Sequence, residues 1–283
     1  MIARCIPLAL MPLLMCFATL AFANGGAVRI DGALRASGPL PDGVVVLAFK
    51  LGGDGGEMFQ GEVADGGYVL NLAAGDYIIG AKAPGWASLQ HSLTLPGPNS
   101  RLDLLLHREQ GSDPQLAAEF EAMEAADQEV RNRWIAARQD PALGREVALL
   151  DASNEARVRD IIRSKGWPGA ELVGGKAAKA VWLLVQHGSA SLLKQCLPYM
   201  KTAAEKGELP WASVALSVDR DLMYDGKKQR YGSQFQTNQL GKQEMYSVED
   251  EAHLDARRAQ MGLGPIADYK ALLLKLHAAP AEK

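Results

Sequence analysis

Ala180-Val-Trp-Leu-Leu-Val-Gln-His187 decides how this chain is read. The segment from Lys176 to His187 is apolar nearly all round a helical wheel, and such a helix has to be buried on every side. It therefore predicts the central element of an α-helical domain. Upstream, Gly166-Trp-Pro-Gly169 closes the preceding helix: Gly166 stops it and Trp167-Pro168 enforces an extended turn. His187 stands at the C-terminal end of the central helix, with Gly188 as its C′ residue. A histidine there is a favourable cap, because positive charge suits that end of the helix dipole. It is equally placed to be an acid, base or ligand group projected from a rigid element.

Downstream, Ser189 to Lys206 reads as a helix with Leu192, Leu193, Cys196, Leu197 and Met200 on one face and a kink at Pro198. Pro210 begins another, with Trp211, Val214, Ala215 and Val218 inward, which delivers Asp219-Arg220-Asp221 at its end. Leu222 to Tyr231 then predicts a short β-hairpin turning at Asp225-Gly226, with Gln229 and Tyr231 on one face of the second arm. Residues Gly232 to Gln243 are polar and predict a loop of the kind that borders sites. Ser247 with Asp250 predicts a helix start, running to Gly262, and Pro265 starts the last helix, through Leu276.

Upstream of the central helix, Asp113-Pro114 ends a linker and opens a helix, as N-cap and first helical residue. Leu116, Phe120, Met123, Val130 and Trp134 form its stripe, and Asp127 falls on that stripe. The next helix, ending near Ser164, places Val147, Leu150, Val158 and Ile161 on a face that also carries Asn154. A carboxylate or amide on a core face needs partners, since burying it unpaired costs several kcal/mol. Two such intrusions predict a polar cluster inside a domain spanning about residues 113 to 279.

Residues 27 to 108 carry a different pattern. Short runs alternate apolar and polar residues and break at Gly, Pro, Asp and Asn about every ten positions, as in a small antiparallel β-sandwich. Asp65-Gly66-Gly67 suits a hairpin turn. The run Gly67-x-Tyr-x-Leu-x-Leu-x-x-Gly-x-Tyr77, followed by Ala83-Pro-Gly-Trp86, resembles the carboxypeptidase-regulatory-like or transthyretin-like sandwich. That resemblance implies an accessory or binding module of an exported protein. Tyr68, Tyr77 and Trp86 have two readings, a carbohydrate-stacking surface or packing of the sandwich and its corners, and packing is the stronger. His91 and His107 read as surface residues. The fold class is thus α+β multidomain: a β-sandwich, then a mostly α-helical domain with a short hairpin.

The N-terminal residues 1–23 read as a secretory signal: Arg4 in the charged region, Ile6–Leu20 as the apolar core and Ala21-Phe-Ala23 as the cleavage site. Pro7, Pro12 and the shortness of the run speak against a membrane helix. Met15 before Cys16 speaks against a lipid anchor. The expected location is periplasmic or secreted. Of three cysteines, two lie in the signal, so Cys196 has no internal partner and reads as a buried thiol. The full chain carries a net charge of −3 without a Lys/Arg cluster, which argues against nucleic acid or an anionic membrane as partner. No His-x-x-x-His, Glu-x-x-His, cysteine pair or Gly-x-Ser-x-Gly occurs, and Gly169–Lys176 misses the phosphate-loop spacing with Ala177 where Ser or Thr is required. No metal and no cofactor are expected.

The combination Gly166-Trp-Pro168, Val173-Gly174, Trp182-Leu-Leu-Val-Gln-His187, Asp219-Arg220, Gln229-x-Tyr231-Gly232-x-Gln234, Glu249-Asp250 and Asp255-x-Arg257-Arg258 is similar to a bacterial family known only as a domain of unknown function. The resemblance spans about residues 115–275 and implies a mostly helical domain with a polar signature. The chain departs from that pattern at Gly188-Ser189, where the family has an Ala-Asp type pair. Function is expected at this signature. The first reading is a site for a polar or anionic ligand around His187, Arg220 and Tyr231, lined also by Asp127, Asn154, Gln229 and Gln234. A second is a hydrolase-type enzyme with His187 as general acid/base oriented by Asp127 or Asp219, acting on an envelope substrate. A third is a protein-binding or toxin-neutralising module in which these residues form a satisfied structural network. Whether His187, Arg220 and Tyr231 line one cleft discriminates between them.

Overall fold

A computed structural model describes residues 27–51, 56–97, 100–238 and 243–277. The expected signal lies outside the described residues. The first half is strand and the second is helix, an α+β chain.

Nine strands form the N-terminal unit: β1 (Val28–Ala36), β2 (Val45–Leu51), β3 (Met58–Gln60), β4 (Glu62–Ala64), β5 (Gly67–Leu72), β6 (Gly75–Ala83), β7 (Trp86–Ser88), β8 (His91–Leu95) and β9 (Leu104–Arg108). Their two-residue alternation sends Ile30, Val46, Leu70, Leu72, Ile79, Leu104 and Leu106 inward. Asp65 and Gly66 both take positive φ, the conformation a two-residue hairpin turn requires, and join β4 to β5. The strand order is β3-β2-β6-β7-β9-β1-β5-β4, with β8 also on β6. Its two end strands, β3 and β4, are separated in sequence by Gly61 alone, and Gly61 N donates to Val46 O at 2.9 Å. The path thus bends back on itself into a nearly closed, barrel-like sheet, where the sequence predicted two antiparallel layers. One pair, β1 with β9, is parallel.

Tyr68 and Tyr77 are interior residues. Tyr77 meets Phe59 edge-on with centroids 6.0 Å apart, and Tyr68 Oη donates to Leu102 O at 2.7 Å. Trp86 is half-buried beneath the Arg108 guanidinium, 4.7 Å from its ring centroid. His107, expected at the surface, is buried: its Nε2 lies 2.9 Å from Gly207 O in the helical half. It lies on the opposite face of β9 from Leu104 and Leu106, with Leu105, where the segment around Gly207 covers a face that two-residue periodicity alone leaves to solvent. His91 is partly buried on β8.

The helices are α1 (Pro114–Ala136), α2 (Pro141–Lys165), α3 (Ala170–His187), α4 (Ala190–Glu205), α5 (Trp211–Tyr224), α6 (Leu254–Gln260) and α7 (Ile266–His277). Asp113 Oδ1 caps α1 by accepting from Leu116 N at 3.0 Å, and Ser189 Oγ caps α4 by accepting from Leu192 N at 3.1 Å. The central helix is α3, as its composition demands. Ala177, Ala178, Ala180, Val181, Leu184 and Val185 are all buried, packed with Phe120 of α1, Val158 and Ile161 of α2, and Leu192 and Leu193 of α4. It begins at Ala170, earlier than expected, and carries a break at Gly174 (φ 79°, ψ 159°).

Two expectations for the tail need correction. Leu222–Tyr231 is not a hairpin: α5 continues to Tyr224, and Asp225-Gly226 ends it, Gly226 taking φ 69°. The hairpin lies later, β10 (Phe235–Thr237) against β11 (Gln243–Met245). The expected helix from Ser247 starts only after a 3-10 turn at Glu251–His253, because Asp250 adopts a left-handed φ of 44°.

The segment joining the halves is pinned. Ser112 N donates to Glu171 O at 3.0 Å and Asp113 N to Leu172 O at 2.8 Å. A Cβ on Gly111 would stand 2.3 Å from Leu172 O, and one on Gly174 2.3 Å from Glu109 O. Backbone meets backbone there, which only glycine permits.

Candidate functional site

Asp127 and His187 come together in the middle of the helical domain. Asp127 sits one turn before Arg131 on α1, and His187 is the last residue of α3. His187 Nδ1 is 2.8 Å from Asp127 Oδ2, Arg131 Nε donates to Asp127 Oδ1 at 3.1 Å, and Gln128 Nε2 donates to Asp127 Oδ2 at 2.9 Å. Arg131 also reaches across to Asp151 of α2. Three helices therefore contribute to one line of groups: Asp151, Arg131, Asp127, His187. The side chains of Asp127 and His187 are 1% and 3% exposed, so the pair works in a medium that screens charge poorly.

The hydrogen-bond pattern sets the tautomer. Arg131 Nε also lies 3.0 Å from His187 Nδ1, but that nitrogen cannot both accept from Arg131 and donate to Asp127. With Asp127 ionised, the consistent arrangement has Nδ1–H donating to the carboxylate beside the Arg131 donor. Nε2 is then the uncommitted edge of the ring, a lone pair when neutral and a donor when protonated. Burial by itself raises the Asp127 carboxyl, but the hydrogen bond from His187 and the charges of His187 and Arg131 together hold it below the usual carboxylate range. Asp151 moves the other way: its burial outweighs the Arg131 charge and raises it.

Asp219 belongs to a second network. It is fully buried at the end of α5, and its carboxylate accepts from Arg230 N at 2.7 Å, Tyr231 N at 3.0 Å and Ser233 N at 2.9 Å. Burial is the largest influence and raises its carboxyl against those three donors. Gln229, also fully buried, donates through Nε2 to Tyr246 O at 2.7 Å and Gln234 O at 3.1 Å, while its Oε1 accepts from Gln234 N at 2.8 Å. Arg258 closes the other side, donating to Tyr231 O at 2.6 Å and Gly264 O at 2.7 Å with its guanidinium 5.3 Å from the Tyr269 ring centroid. Arg257 donates to Arg230 O at 3.0 Å. These side chains hold the 229–234 backbone in shape.

The sequence-predicted residues thus divide. Asp127 and His187 meet; Asp219, Gln229, Tyr231 and Gln234 form a separate, internally bonded loop. Arg220 bridges the two regions, its Nη1 donating to Gln186 O at 2.9 Å, one residue before the histidine. Asn154 is buried on α2, on the face that packs into the three-helix interior. Two participants were missed, Arg131 and Asp151. Arg131 had a signal: it lies four residues from Asp127, the spacing at which helical ion pairs form. Asp151 had none. Among the described residues no group of three His, Cys, Asp or Glu side chains is arranged to hold a metal ion, and no helix is long and apolar enough to cross a membrane.

Residues 114–279 match the model of a family of unknown function, DUF6624. The chain belongs to that family. The DUF6624 match begins at Pro114, the first residue of α1, and contains both polar networks, so the His187 pair and the Asp219 loop lie wholly within the family's own span. Among curated proteins, none matches the chain.

Proposed function

We propose that the DUF6624 domain of this chain binds a polar or anionic ligand at His187, with imidazole Nε2 as the atom that meets it. The Asp127–His187 pair carries this reading. A histidine held through Nδ1 by a buried carboxylate, itself braced by Arg131, has a fixed tautomer and orientation, and its Nε2 is left to give or take a proton. A cap for α3 would need neither Asp127 nor Arg131. The hydrolase-type alternative draws on the same pair, with Asp127 rather than Asp219 as orienting residue. Arg220, beside the end of α3, supplies positive charge; Tyr231, whose backbone is tied to Asp219 and Arg258, supports the loop and not the ligand.

The binding-module reading, an immunity-type partner for another protein, draws on the closed Asp219–Gln229–Gln234 network. It leaves the Asp127–His187 pair without a purpose, which places it second. We read the whole protein as exported to the periplasm or beyond, on the strength of Arg4, Ile6–Leu20 and Ala21–Ala23. The barrel-like unit is proposed as a carboxypeptidase-regulatory-like accessory module, on the Gly67–Tyr77 and Ala83–Trp86 motifs.

The test is a thermal-shift screen of the mature protein against muropeptides, sugar phosphates and dicarboxylates, run beside His187→Gln. A compound at a hundredfold its Kd stabilises by about 2.7 kcal/mol, a shift of several degrees. The reading expects such a shift in the wild type and its loss in the variant. Equal shifts in both proteins overturn it, as does a His187 that resists carbethoxylation by diethyl pyrocarbonate.

A further inference from the structure

Asn154 is 7% exposed, yet its Nδ2 has no hydrogen-bond partner. Native interiors leave few such groups, because an unmet buried donor keeps its full desolvation cost. Its place on α2 says what it faces. Asn154 lies three residues after Asp151, which pairs with Arg131, and one before Glu155, which accepts from Ser189 N at 2.9 Å. The 151–155 turn of α2 therefore lies against the end of α3 that carries His187. On that turn Asn154 shares the buried face with Val147, Val158 and Ile161. An uncommitted amide donor and the uncommitted imidazole edge belong to the same interior.

The donors there set the ligand's class. Arg131 already pairs with both the Asp127 and the Asp151 carboxylate, and Arg220 Nη1 rests on Gln186 O. A protonated His187 adds an N–H at Nε2 to the unmet N–H of Asn154, and two such donors call for an oxyanion. We propose that Asn154 Nδ2 and protonated His187 Nε2 together hold one oxyanion group, carboxylate or phosphate, of a small ligand. This rests on the assignment of His187 as the ligand-binding residue and adds to it a second contact and a chemical class. Where the ring is neutral before binding, it takes up one proton from solvent and forms an Nε2–H bond; the anion accepts hydrogen bonds from both residues, and no other covalent bond changes.

The probes are sodium acetate, inorganic phosphate and the neutral isostere acetamide, added at constant ionic strength to mature protein. The readout is the side-chain 15N signals of His187, followed with the thermal midpoint of Asn154→Leu. The inference expects a saturable Nε2 shift with acetate or phosphate, none with acetamide, and at least tenfold weaker binding in Asn154→Leu. It also expects that variant to melt at or above the wild-type temperature, since a leucine of similar shape removes an unmet donor. Response to acetate alone assigns a carboxylate ligand, and response to phosphate alone a phosphoryl one. A midpoint several degrees lower with the probe response intact makes Asn154 structural and overturns the inference. Should Asn154→Leu not fold, Asn154→Ser gives the same comparison, and undiminished anion binding in it is equally fatal. No shift in the wild type with either anion overturns the oxyanion assignment. The His187 reading is then judged separately, by its reactivity towards diethyl pyrocarbonate.

Discussion

Asp127 Oδ2 and His187 Nδ1 lie 2.8 Å apart, joining α1 to the end of α3 across 60 residues of chain. Both side chains are almost wholly out of water, so each is the other's main compensation for lost hydration. Asp127→Asn keeps the shape and removes the charge, leaving Arg131 with Asp151 alone and His187 without its orienting acceptor. Removing one partner of a buried pair typically costs about 3–5 kcal/mol. Urea unfolding of the variant beside the wild type measures this, and a loss under about 1 kcal/mol would show the pair to be energetically idle.

The same residue predicts a pH dependence. The folded-state Asp127 carboxyl is held below its ordinary value, so its contribution is fully present above the unfolded carboxylate pKa of about 3.9 and is lost as pH falls through the lower folded value. Asp151 and Asp219 are raised by burial and have the opposite sign: what they contribute is present when they are protonated and is lost as pH rises through their folded values. Thermal midpoints recorded from pH 3 to 7 therefore separate the two. The gap between wild type and Asp127→Asn is widest near neutrality and narrows towards pH 3; a gap that stays constant or widens contradicts the assignment.

Asp219 gathers three backbone N–H groups of the 229–234 loop. An asparagine there keeps one acceptor oxygen but turns an NH2 towards donors. Each lost hydrogen bond to a charged group is worth about 1.5–3 kcal/mol, so Asp219→Asn is expected to destabilise by at least that amount. Hydrogen exchange localises the effect: the amides of Arg230, Tyr231 and Ser233 should exchange faster while those of α1 change little. A uniform acceleration through all helices would mean that the loop is integral to the core.

Gly174→Ala combines two penalties, a φ of 79° and a Cβ placed 2.3 Å from Glu109 O. Left-handed strain alone costs about 1–3 kcal/mol, and the carbonyl must also retreat. Thermal unfolding is expected to fall by several degrees, and limited proteolysis to open at residues 109–113. Resistance of that segment to protease in the variant would show that the backbone contact does not hold it.

Much of this was legible locally. Asp113-Pro114 and Ser189 gave two helix starts and the largely apolar 180–187 run the central helix, though not its start at Ala170, because caps and burial patterns act within one or two turns. The meeting of Asp127 with His187 was anticipated as one of two options, from an acidic residue on an apolar stripe. Other features depended on partners far away in sequence. Asp225-Gly226 has the composition of a hairpin turn and equally that of a helix C-terminus, and the chain takes the second, with Asp225 N donating to Asp221 O and Gly226 N to Met223 O. The true hairpin, Phe235–Thr237 with Gln243–Met245, lies in a polar stretch with almost no alternation to betray it. Asp219 read as a residue that orients His187 because its actual partners are backbone N–H donors, which no side-chain pattern records. His107 read as exposed because its covering partner, Gly207, comes a hundred residues later.

The pinned segment before α1 has a wider consequence. The family match opens at Pro114, yet the first turn of α3 relies on the backbone of Ser112 and Asp113, and Gly174 on the closeness of Glu109. The stretch that is inherited as a module is shorter than the stretch that folds as one. A protein that grafts this domain onto another partner has to bring, or reinvent, residues 109–113 ahead of it, and an excision made at the boundary of the family match would cut through a joint.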